Sequence, residues 1–132
     1  MKETIFEICD YYDLLNLHKA LLEAKFHLNP DNELVPLSPI IAKISNQIYD
    51  ILTEYNKDKG KGSLEWNDWR KLENQEFYKN RALNNSKYIN EWNNLSFKDK
   101  QIYVKNLISP FSATDEEINI MVEKVNAIHK SS

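Results

Sequence analysis

Three histidines, one cysteine and a set of carboxylates are the side chains best suited to chemistry in this chain, and their spacing limits what they can do. His18 and His27 stand nine residues apart. On a helix that is about two and a half turns, so the two imidazoles do not share a face and cannot share a metal. No HExxH pattern, paired cysteines, calcium-loop spacing or Glu-x-x-His pair occurs, so neither a metal centre nor a cofactor is expected. Cys9 lies nine residues before His18. At 1.5 Å per residue the helical rise between them is about 13 Å, too far for a nucleophile and its base. Cys9 therefore reads as a small core or boundary filler. His18 and His27 read as partly exposed helix residues, and His129 as part of a fraying tail. No catalytic residue is expected.

The carboxylates point elsewhere. Glu7, Asp10 and Asp13 follow one another along the first helical segment, and Asp50 and Glu54 form an i,i+4 pair in the second. Residues 1–56 hold nine acids against four bases, a net −5, whereas 63–132 balance at ten of each. The first helical pair is thus the natural surface to meet a basic protein. Three Trp, seven Tyr and five Phe exceed what core filling strictly needs, and Trp and Tyr are the residues that anchor interfaces. Trp69 and Trp92 read as core, Trp66 as an edge residue beside the glycines, and Tyr11, Tyr55 and Tyr78 as further edge candidates. The expected partner-binding set is Asp10, Asp13, Asp50, Glu54, Tyr55 and Trp66. Gly60-Lys61-Gly62 follows no strand and precedes no Gly-Lys-Ser/Thr, so it reads as a connection and not as a phosphate cradle.

Nucleic acid is the alternative partner. A helix-turn-helix-like segment over 86–108 would place Lys98, Lys100, Gln101, Lys105 and Asn106 on a recognition helix. A net charge of −3 and only two arginines (Arg70, Arg81) weigh against it.

The elements that must position these groups are helices. Ile5 to about Leu28 carries two adjacent apolar rows at helical spacing, and Asn29-Pro30-Asp31-Asn32 ends it. Ser38-Pro39 opens a second helix, with Ile41, Ile44, Ile48, Ile51/Leu52 and Tyr55 as its expected buried row. Glu33 to Leu37 is the best strand candidate, although Pro36 argues against a central strand. Lys57 to Ser63 holds both glycines and reads as a link. Beyond it, a helix is expected to start between Ser63 and Asp68 and run to about Leu83, followed by a short one through Tyr88, Ile89 and Trp92; a single bent helix over 67–94 is the competing reading. Ser96 to Asp99 and Thr114 to Glu117 open two more as capping boxes.

At 132 residues the chain is expected to be one all-α domain. It should hold five or six helices in a compact orthogonal or antiparallel bundle, an acidic pair 5–56 and a neutral group 64–129 joined by the Lys/Gly loop 57–63. A single cysteine and the absence of a signal-like or spanning apolar stretch suit the cytoplasm. The function expected is non-catalytic: binding, and thereby neutralising or regulating, another protein in the manner of an immunity protein, inhibitor or adaptor. A homodimer through the broad stripe of the first helix is compatible with the same pattern.

Overall fold

The computed structural model describes residues 6–58 and 63–130. They form seven α-helices: α1 (Tyr11–Lys25), α2 (Leu34–Leu37), α3 (Pro39–Asp58), α4 (Ser63–Arg70), α5 (Glu76–Asn85), α6 (Phe97–Ile108) and α7 (Asp115–Lys130). Ile5, Lys59 to Gly62 of the expected link, and the last two serines lie outside the described residues.

Helix starts follow their caps. Ser38 Oγ accepts the Ile41 N–H at 3.1 Å and Ser96 Oγ accepts that of Asp99 at 3.1 Å. Thr114 and Glu117 close a reciprocal box: the Thr114 N–H donates to Glu117 Oε1 at 2.8 Å and the Glu117 N–H to Thr114 Oγ1 at 3.2 Å. One start is displaced. Asp10 has extended backbone, and its carboxylate accepts the N–H groups of Tyr12 and Asp13 at 3.1 and 3.2 Å. That geometry ends the helix at Tyr11, not at Ile5. Cys9 consequently precedes the helix and is exposed, not a core filler.

The second half is more broken than periodicity suggests. The helix expected to run to Leu83 stops at Arg70, because backbone around Lys71 pairs with a distant loop. The Leu72 N–H donates to the Ser112 carbonyl at 2.8 Å and the Ser112 N–H to that of Arg70 at 2.8 Å. Asn74 and Gln75 then donate their side-chain amides to the Asp68 and Trp69 carbonyls, supplying partners that a continuing helix would have supplied. Residues 86–94 form two isolated 3₁₀ turns and not a helix, and neither a single bent helix nor a helix-turn-helix survives there. The strand candidate at 33–37 is one helical turn, opened by Asn32 Oδ1 accepting the Leu34 N–H at 3.0 Å. The extra turn and the division at Lys71 account for seven helices where five or six were expected.

α1 and α3 run antiparallel, with Tyr11 beside Tyr55 and His18 beside Tyr49. α6 and α7 form an antiparallel hairpin. The main core joins Trp92, Val104, Leu107, Ile108, Met121, Val122 and Val125 with Leu22 and Phe26 from the end of α1. The two charge-defined groups therefore interlock. The carbonyls of the chain just after α1 are satisfied from α5: Arg81 donates to that of Phe26, Asn85 to that of His27 and Asn84 to that of Leu28. In return Lys25 buries its Nζ at the end of α6, donating to the Asn106 and Leu107 carbonyls at 2.6 Å each. The tail does not fray at His129, whose ring stacks on Trp92 at 5.9 Å with Nε2 2.9 Å from the Ser86 carbonyl.

Candidate functional site

α3 is apolar round more of its circumference than its neighbours cover. Its buried row is Ala42, Ser45, Ile48, Tyr49, Leu52 and Asn56, one residue on from most of the row expected from periodicity. The small Ala42 and Ser45 lie within that buried row. Ile44, Ile51 and Tyr55, expected inside, lie outside at 40%, 56% and 40% exposure, and Ile40 joins them at 68%. Positions 40, 44, 51 and 55 fall on one side of a helix. Gln47 and Glu54 border that side.

At its C-terminal end this face meets the start of α1. Tyr55 stacks on Tyr11 at 4.3 Å, Tyr11 meets Tyr12 edge-on at 5.2 Å, and Tyr12 is exposed. Asp10, the N-cap, and Asp13, in the first turn of α1, flank the same tyrosines, and both are exposed. Four of the six expected partner-binding residues, Asp10, Asp13, Glu54 and Tyr55, are thus brought to one end of the α1–α3 pair. Their carboxylates and phenol rings make an acidic, aromatic edge to an aliphatic face.

The other two go elsewhere. Asp50 accepts from Arg70 Nη1 at 2.6 Å. That guanidinium also donates to the Pro110 carbonyl at 2.7 Å and lies 4.7 Å over the Tyr49 ring, so it ties α3, α4 and the α6–α7 loop together. The Asp50 charge is spent inside this network. Trp66 is half-buried against His18 and Tyr49, and its carbonyl accepts from the Tyr49 hydroxyl. Burial pushes that phenol well above its usual range, against the smaller opposite effect of Arg70, so Tyr49 stays a donor.

His18 is the largest departure from expectation. It is only 5% exposed, with its ring 5.6 Å from Tyr49, 6.2 Å from Trp66 and 5.7 Å from Trp69. Desolvation, helped by the Lys19 charge, lowers its pKa from 6.5 to about 4. Between those values the unfolded chain binds a proton that the folded chain refuses, so stability falls as pH drops from 6.5 towards 4. An NMR titration should show the His18 ring, assigned by its loss in His18→Asn, neutral down to below pH 5. A midpoint near 6.5 would contradict this burial. No sequence signal distinguished His18 from an exposed histidine, because the rings that bury it come from α3 and α4.

The alternative recognition surface is largely occupied. Lys100 donates to Asn126 Oδ1 at 2.9 Å and Gln101 to Asn119 Oδ1 at 2.8 Å, both across to α7. The Asn106 side chain is half-buried, and of the five expected residues only Lys98 and Lys105 are exposed. Both arginines are committed to internal carbonyls. Among the described residues no group of three His, Cys, Asp or Glu is placed to hold a metal ion. No described helix is long and apolar enough to cross a membrane. No protein-family model, curated protein or solved structure matches the chain.

Proposed function

We propose that this protein works by binding another protein, a basic one, through the outward face of α3 and the tyrosine-rich edge that α3 shares with α1. The observation that carries this reading is the exposure of Ile40, Ile44, Ile51 and Tyr55 along one side of a 20-residue helix. Scattered exposed apolar residues are ordinary; four in register along one helix, with acids gathered at one end, are the layout of a contact surface. The aliphatic row supplies desolvation on binding, Tyr12 and Tyr55 supply anchors, and Asp10, Asp13 and Glu54 steer a cationic partner into register. Binding at such a surface neutralises or regulates the partner by occupying it, with no chemistry at the interface.

A benzophenone amino acid at position 51 should crosslink a basic protein in the native cell, and one at position 98 should not. Ile44→Asp with Ile51→Asp should weaken that complex at least tenfold, about 1.4 kcal/mol. Stability should change by less than about 0.5 kcal/mol per site, since both positions face solvent. Equal labelling from 51 and 98, or labelling only of a second copy of the same chain, would overturn the proposal.

A further inference from the structure

A second site lies on another side of the molecule, where α1 passes over α4 and α5. There Leu15, His18 and Leu22 of α1 face Trp66, Trp69 and Tyr78 across a cavity of about 440 Å³. That volume falls within the ~300–1,000 Å³ typical of small-molecule sites. The walls are flat and rigid. Trp69 stacks on Tyr49 behind it at 5.5 Å and an interplanar angle of 7°, and Tyr78 stacks on Phe111 at 5.0 Å. Phe26 and Phe111 continue the same packed array of rings, so the cavity rests on the core and is not a crease between side chains.

Its polar inventory is one-sided. Exposed Lys19 stands at the rim, and no carboxylate lines the cavity among the described residues. His18 is nine-tenths buried and neither ring nitrogen makes a hydrogen bond to the described residues, so its polar edge is open to an occupant. An adjoining cavity shares Lys19, Leu22 and Tyr78 and adds Arg81 and His27 against a single acid, Glu23. A cationic guest, which aromatic walls alone would welcome, is therefore opposed by the local field. A neutral hydrocarbon would leave His18 unsatisfied.

We propose that this cavity binds a small planar aromatic acid, its rings between Leu15, Trp66 and Trp69 and its anionic group towards Lys19. The neutral state of the His18 imidazole at pH 7 suits this, since it offers one donor and one acceptor without a buried charge. Lys19 supplies the charge from a solvated position, where its ammonium carries little desolvation penalty. The site is independent of the α3 face, from which Tyr49 and the buried side of α3 separate it.

The test uses the full chain and two probes of similar shape, the anionic dye 1-anilinonaphthalene-8-sulfonate and the neutral N-phenyl-1-naphthylamine. The anion should bind saturably at one site and quench tryptophan emission, at least tenfold more tightly than the neutral dye. Lys19→Ala should weaken the anion about tenfold and leave the neutral dye unchanged. Leu15→Trp, which fills the cavity from a half-buried position, should abolish saturable binding while circular dichroism and thermal melting report an intact fold. The Ile44→Asp/Ile51→Asp chain should bind as wild type does. Non-saturating binding, equal affinity for the two dyes, persistence in Leu15→Trp, or loss in the α3 variant would each overturn the assignment.

Discussion

Trp92→Ala is expected to lower the unfolding free energy by about 3–5 kcal/mol, a large share of the ~5–15 kcal/mol that holds a domain together. Trp92 is 0% exposed and belongs only to a 3₁₀ turn, so no helix of its own holds it in place. Its position comes from its neighbours. The indole N–H donates to Asn126 Oδ1 at 2.9 Å, His129 stacks on one face, and the Lys100 ammonium lies 5.2 Å from the ring centroid. Truncation opens a void among α6, α7 and the 86–94 segment and removes the ring that docks the end of α7. Trp92→Phe keeps most of the apolar volume and removes one hydrogen bond to Asn126 Oδ1, which Lys100 still satisfies; it should cost about 1–2 kcal/mol. Urea denaturation of the three chains reads both values. A loss under about 1 kcal/mol for Trp92→Ala would show that the core closes over the missing ring.

Lys25 should make the protein more stable as the solution becomes alkaline. Its side chain is 1% exposed, and burial lowers its pKa from 10.5 to about 7. The neutral amine keeps two N–H donors, enough for the Asn106 and Leu107 carbonyls it serves. Those carbonyls are among the four that a helix end leaves without internal partners, so Lys25 acts as a cap delivered from α1. Between pH 7 and 10.5 the unfolded chain holds a proton that the folded chain has released, and stability therefore rises with pH across that window. The full gain is on the order of 5 kcal/mol. Lys25→Met should remove the rise while retaining the aliphatic stem's packing. Denaturation midpoints measured from pH 6 to 10 in both chains decide it. A profile shared by the two would mean that Lys25 keeps its proton throughout and that the α6 carbonyls hold it as an ammonium.

These two residues mark where local reading ends. The caps at Ser38, Ser96 and Thr114–Glu117 were legible because each is a hydrogen bond between residues three apart, which no distant contact needs to supply. The all-α character was legible for a related reason, since helical spacing is carried within each segment. Asp10 shows the limit of even that: the chain carries both its preference for a cap and an apolar row running back to Ile5, and the extended backbone at Asp10 decides for the cap.

What the chain alone determined, then, is the helical class, most of the boundaries set by caps and proline, and the uneven distribution of acid. Tertiary structure decided which side of α3 is buried, because periodicity states that an arc is apolar and says nothing of how much of it neighbours will cover. It also decided that Asp50 would be taken by Arg70, that Lys25 and His18 would be buried, and that 86–94 would form turns around Trp92. Each of these depends on groups far apart in sequence, whose mutual desolvation and hydrogen bonding exist only once the helices have packed.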